Sequence, residues 1–170
     1  PSPACVDYGL LYQSRFQVLK RAVARLWARE EKSVQSFCEK EKDWLDDYAL
    51  FMSLKDHFNG KPWQDWPDDL RHRKTDALER ARRQSESDIR FWKGVQFLFF
   101  EQWDRLKCLA VEKGISIIGD LPIYVAEDSA DVWAHPEQFQ MDAELHPTRV
   151  AGCPPDGFSA DGQLWGNPLF

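Results

Sequence analysis

The sequence predicts an α/β fold in which helices dominate and one short buried strand carries an acid at its carboxyl end. Three observations predict it. Apolar residues recur at three- and four-residue spacing through most of the first 113 positions. A short apolar run, Ile115-Ser116-Ile117-Ile118, follows the last of these helical patterns across a single stop residue, Gly114. That run leads straight into Gly119-Asp120-Leu121-Pro122. Helix, tight turn, buried strand and then an acid is the order in which an α/β barrel presents a substrate-binding carboxylate, here Asp120.

The elements follow in order. Phe16, Leu19, Val23, Leu26 and Trp27 predict an amphipathic helix over 15–29. Ser33 is placed to cap a helix carrying Val34, Phe37 and Cys38, and Asp43 to cap another whose face holds Leu45, Tyr48, Ala49 and Met52. Asn59-Gly60-Lys61-Pro62 stops that helix, and 63–67 reads as a loop with two tryptophans. One long helix is expected over 76–113, polar at first and then nearly apolar all round, as in a helix that leaves the surface and enters a core. Beyond Pro122, Asp128-Ser129-Ala130-Asp131 begins a capped helix near 129–135, which Pro136 limits to about two turns. Residues 142–170 hold four Pro and four Gly and read as a long irregular loop of the kind that serves as a lid or binding loop.

At 170 residues and 43% hydrophobic, the chain is long enough to bury a core. It begins Pro1-Ser2-Pro3 and stops at Phe170 just after Trp165-Gly166-Asn167-Pro168, which predicts a piece of a longer protein. Cys5, Cys38, Cys108 and Cys153 are far apart and suggest reduced thiols in a cytoplasmic protein, with neither zinc nor disulfides. No apolar run approaches the roughly 20 residues of a membrane span, so a soluble chain is expected. Charge is uneven: residues 1–113 carry 21 Lys+Arg and 19 Asp+Glu, whereas 114–170 carry Arg149 alone against nine acids. An acidic end disfavours a phosphate-bearing partner and suits a neutral, hydroxyl-rich ligand.

Asp120 reads either as a turn acid or as a ligand-binding carboxylate whose direction Pro122 fixes. In the segment 152–168, Phe158 and Trp165 offer flat apolar faces, while Asp156, Ser159, Gln163 and Asn167 offer hydrogen-bonding groups. Aromatic plates beside amides and carboxylates match the apolar face and polar rim of a sugar ring. The alternative is that the two aromatics only pin the loop to the protein body. The basic cluster Arg71-His72-Arg73-Lys74 with Arg80, Arg82 and Arg83 could face nucleic acid, but interleaved acids favour a solvated helix face. The four histidines, His57, His72, His135 and His146, show no pairing with a nucleophile, and no phosphate loop or dinucleotide fingerprint is present.

The run Gly119-Asp120-Leu121-Pro122-Ile123-Tyr124-Val125-Ala126, then 128–133, then Pro154-Pro155-Asp156 through Gly162-Gln163-Leu164-Trp165-Gly166-Asn167-Pro168, resembles amylomaltase. That family is the bacterial 4-α-glucanotransferase, called disproportionating enzyme in plants and related to the α-amylases. Val6-Asp7-Tyr8, 44–51 and 99–103 resemble it too, so the likeness covers essentially the whole chain.

The resemblance implies a (β/α)8 TIM barrel with a mainly α-helical insertion, of which this chain is a mostly helical fragment. Residues 1–75 would be the insertion subdomain. Residues 76–170 would be the barrel portion, with its third strand at 115–119, a short helix near 129–135 and a substrate-binding loop at 142–170. It further implies transfer of α-1,4-glucan segments between maltodextrins by retaining double displacement, without a cofactor and with no nucleic-acid or membrane partner. Asp120 would contact the glucose unit at the cleavage site, Asp156 and Phe158 would face sugar from a mobile loop, and Gln163 and Trp165 would line the same groove. The catalytic carboxylates would come from later strands, so the piece alone is expected to be inactive and poorly folded. A glucan hydrolase of the same clan and a non-catalytic helical carbohydrate-binding or interaction module are the competing readings.

Overall fold

The computed structural model describes residues 5–170, so the opening Pro1-Ser2-Pro3 lies outside the described residues. Its elements are α1 (Tyr8–Lys40), α2 (Lys42–His57), a 3-10 turn (Trp63–Asp65), α3 (Asp68–Arg71), α4 (Thr75–Gln84), α5 (Glu86–Glu112), α6 (Ala130–Ala134), a 3-10 turn (Pro136–Gln138), β1 (Val150–Cys153) and β2 (Gln163–Pro168). The described residues form two compact units, one within 5–49 and 87–117 and the other of residues 50–86 with 118–170. Among the described residues no helix is long and apolar enough to cross a membrane.

The first unit is a helical packing of α1, the start of α2 and most of α5. Asp7 caps α1 by accepting the Leu10 N–H at 2.9 Å, and Glu30 leaves helical geometry inside it. The expected end of the first helix at 29 thus falls beside this kink, and the segment expected as a separate helix capped by Ser33 continues α1. Val23, Leu26, Val34, Leu45, Ala49, Phe91 and Trp92 are buried. Rings interlock across the helices: Phe37 lies 5.6 Å from Phe97 and 5.5 Å from Phe100, and Tyr48 meets Trp92 edge-on at 6.4 Å. The Trp27 indole donates to the Arg90 carbonyl at 3.0 Å while the Arg90 guanidinium stacks over its ring, and Lys93 pairs with Asp46. Burial pushes the Cys38 thiol and the Tyr48 phenol above their ordinary pKa, so both stay protonated at neutral pH.

The second unit closes around an aromatic cluster. Trp63 and Trp133 are fully buried, and Phe51, Trp66 and Trp133 pack at centroid distances of 5.4 to 5.8 Å. The tryptophans of the expected loop at 63–67 are thus core residues. Trp133 reaches the core from α6, whose N-cap Ser129 accepts the Val132 N–H as expected. The Trp133 indole donates to the Leu70 carbonyl at 3.1 Å, and Arg73 stacks over its ring at 4.3 Å. Much of the basic cluster is paired: Asp68 takes Arg71 and Lys74, and Arg80 holds Asp69 at 2.8 Å. Lys74 and then Arg71 keep the exposed Asp68 carboxyl below the usual carboxylate range.

The described residues differ from three expectations. The single helix over 76–113 is two, because Ser85 leaves helical geometry between α4 and α5. The apolar second half of α5 does not enter a core among the described residues: Phe99, Leu106, Leu109 and Val111 are half or more exposed. Residues 115–119 follow the Gly114 stop as expected, with Ile115 N–H bonded back to Ala110 O at 2.8 Å. They form no strand, and Ile115 and Ile118 are 60% and 95% exposed. A strand needs neighbours for its backbone groups and covers for both faces, and the described residues supply neither at 115–119.

Gly94 sits where α5 crosses α1, and a Cβ there would lie 2.5 Å from Val23 Cγ1 and 3.3 Å from Trp27 Nε1. Gly94→Ala would add about 1 kcal/mol of helix propensity at an open site, yet it is expected to lower stability by about 1–2 kcal/mol through overpacking. The urea midpoint of unfolding reads this, and a midpoint that stays level or rises would contradict it.

Candidate functional site

Residues 142–170, expected as irregular loop, are organised around a two-stranded antiparallel ribbon. Cys153 pairs with Gln163, Gly152 with Leu164 and Val150 with Pro168, with a bulge between Val150 and Gly152. Strands of four and six residues interrupted by a bulge leave too few alternations for a period of two to show in the sequence. Two glycines permit the closure. A Cβ on Gly152 would meet Gln163 O at 2.5 Å, and one on Gly162, at φ +72°, would meet Cys153 O at 2.5 Å. Near the other end of β2, Gln140 N–H bonds Leu169 O at 2.8 Å, and Phe139 packs on Phe170 at 4.9 Å.

The connection 154–162 is a folded tip. Asp156 Oδ1 accepts the N–H groups of Phe158 and Ser159, each at 2.8 Å. Asp156 N–H donates to Ser159 O at 2.9 Å, and Ser159 Oγ donates to Gly162 O at 2.6 Å. One oxygen of Asp156 therefore shapes the turn. The turn leaves Phe158 99% exposed among the described residues. Trp165 is about half exposed: its ring lies 6.1 Å from Tyr124, and its indole donates to Gln163 Oε1 at 2.9 Å.

Asp120 is exposed and makes no hydrogen bond or ion pair among the described residues. No ring or hydrogen-bond contact joins it to Phe158 or Trp165, so the structure brings Gln163 and Trp165 together, sets Asp156 under Phe158, and leaves Asp120 by itself. Sequence reasoning missed the part played by the strap at 124–129. Trp63 Nε1 donates to Glu127 O at 2.9 Å, Lys55 Nζ reaches Asp128 Oδ2 at 2.6 Å, and Asn167 Nδ2 donates to Val125 O at 2.8 Å. Those partners lie 42 to 73 residues apart in the chain, and no local pattern announces such pairs. Among the described residues no cluster of His, Cys, Asp and Glu is arranged to hold a metal ion.

Comparison with known proteins places this architecture. A family model described as 4-alpha-glucanotransferase matches residues 2–170. The chain is 50% identical over 169 residues to 4-alpha-glucanotransferase of Thermus thermophilus and 45% identical over 166 residues to that of Clostridium butyricum, covering 97% of this chain in each case. It also superposes on an amylomaltase from Streptococcus agalactiae solved in complex with acarbose, at TM-score 0.90 and 42% identity, over 96% of this chain and 34% of that one. The chain belongs to the 4-alpha-glucanotransferase family. It spans 34% of the length of the two relatives named.

Gly162→Ala places a Cβ in a left-handed backbone position and against the Cys153 carbonyl. The conformation alone costs about 1–2 kcal/mol, so the ribbon is expected to open locally while the helical core holds. Faster hydrogen exchange at the amides of 150–168, with α5 amides unchanged, is the expected readout; unaltered exchange at the ribbon would refute it.

Proposed function

We propose that the complete protein carrying this chain is a 4-α-glucanotransferase that moves α-1,4-glucan segments between maltodextrins, with this chain supplying part of the sugar-binding groove. The observation that carries the reading is the ribbon: a tip held by Asp156 that presents Phe158 to solvent, on a hairpin whose second strand carries the bonded pair Trp165 and Gln163. Membership of the family supports it. In this reading residues 76–170 belong to a (β/α)8 barrel and 1–75 to its helical insertion. Residues 115–119 then become a core strand once neighbouring strands pair with them, which would cover Ile115 and Ile118 and aim Asp120 at the glucose unit being cleaved. A cytoplasmic location belongs to the same reading.

Retaining transfer needs a carboxylate nucleophile and an acid/base carboxyl about 5 to 5.5 Å apart. The reading assigns both to strands outside these 170 residues. This chain's part is to bind and to exclude water. A glucosyl-enzyme intermediate partitions between a sugar hydroxyl and water, and an aromatic tip closing over it favours the sugar. Carboxylates and amides take up the sugar hydroxyls without needing a cation, in keeping with nine acids against one arginine after residue 113.

Maltotriose given to the complete protein separates the outcomes. Transfer yields glucose together with longer maltodextrins, whereas hydrolysis yields only shorter products and would sink the transferase reading. Trp165→Ala in that protein is expected to weaken glucan binding by about 1–3 kcal/mol, the worth of a stacked aromatic, and to raise hydrolysis relative to transfer. Unchanged affinity with an unchanged product ratio would remove Trp165 from the groove.

A further inference from the structure

The strap at 124–129 has no regular secondary structure before α6, yet side chains from both directions hold it. On one side stands Lys55, whose ammonium has three donors and three acceptors in reach: Gly60 O at 2.9 Å, Lys61 O at 2.8 Å and Asp128 Oδ2 at 2.6 Å. Its side chain is 16% exposed and that of Asp128 37%, so the pair is shielded on the lysine side. Asp128 uses its other oxygen to accept the Trp63 N–H at 3.3 Å. Glu127 is held twice, its carbonyl by the Trp63 indole and its carboxylate by Gln64 Nε2 at 3.0 Å. On the other side, Asn167 of β2 donates to Val125 O, and Trp165 of the same strand packs beside Tyr124.

We propose that Lys55 and Asp128 are positioning residues for the glucan-handling ribbon, acting through the strap on Asn167 and Trp165. This deepens the functional reading above and rests on it. Lys55 closes the end of α2, binds the carbonyls of the turn that follows, and carries that fixed point to Asp128. From Asp128 the strap runs three residues to Val125, where Asn167 takes hold. The ribbon has a separate tie to Gln140 and Phe139 near Pro168, so loss of the lysine shifts the Trp165 end without releasing the ribbon. The buried rings of Phe51, Trp66 and Trp133 also pack on one another.

The test uses the complete protein with maltotriose as substrate and compares Lys55→Met, which keeps the apolar stem, with Asn167→Leu at the far end of the strap. A purely structural lysine would reduce the amount of folded enzyme, lowering kcat while leaving KM and the transfer-to-hydrolysis ratio of the surviving molecules unchanged. A positioning lysine raises KM on the order of tenfold, increases the hydrolysed share and leaves kcat within about twofold. Because the two residues act through one strap without touching, the double variant is expected to cost little more than either single one. Strictly additive costs, or a change in kcat alone, would overturn the proposal. Hydrogen exchange supplies an arm that does not rely on the activity: Lys55→Met is expected to speed exchange at 150–168 and spare α5, and unchanged ribbon exchange overturns the proposal. A wild-type protein that fails to transfer glucan sinks the functional reading, and the exchange result then stands apart from it. Should Lys55→Met not fold, Asp128→Asn carries the same measurements with the same outcomes.

Discussion

The backbone carbonyls of Val125 and Glu127 each accept a side-chain N–H from a distant part of the chain, Asn167 on one side and Trp63 on the other. The arrangement of the second unit depends on this pair. A segment with no helix or ladder of its own must find partners for its polar backbone or leave them to water. Here the partners are an indole and an amide, both anchored in ordered elements. The strap thereby joins the end of α2 to the ribbon, and Lys55 and Asp128 add an ion pair that is mostly shielded on the lysine side.

That joint matters because of what the ribbon presents. A phenylalanine 99% exposed is unfavourable in water and is ordinarily left on a flexible loop or buried. In this chain the tip beneath it is ordered by two bonds to Asp156 and one from Ser159. Ordering the tip before a ligand arrives lowers the entropy lost on binding, which is the advantage of a preformed aromatic surface over a disordered one. The neighbouring Trp165 gives up part of its ring to Tyr124 and keeps the rest open. These are the properties that the sugar groove proposed above would use.

The exposed apolar residues of α5 and of 115–123 carry a second constraint. Phe99, Leu106, Leu109 and Val111 on the helix, and Ile115, Ile118, Leu121 and Ile123 after it, face solvent in this chain. Isolated apolar side chains at a surface are ordinary, but this many in consecutive elements are not. They belong to a chain that spans 34% of the length of its relatives.

Local rules determined the helix of α1, the stop at Gly114, the Ser129 cap and the family motifs, because each depends on residues within one or two turns of each other. The candidate site was legible as a set of residue types: Asp156, Phe158, Gln163 and Trp165 stand out by composition in 152–168. What that pattern left open was how they are held. The breaks at Glu30 and Ser85 carry no stop residue, the ribbon is too short and too bulged to show alternation, and the tryptophans at 63 and 66 look like loop residues until Phe51 and Trp133 pack around them. Tertiary structure alone decided that Asp156 would build the tip, that Asn167 and Lys55 would meet the strap from opposite sides, and that 115–119 would stay unpaired among the described residues. Each of these is set by groups far apart in the chain, whose approach depends on packing and on backbone partners that no window of sequence contains.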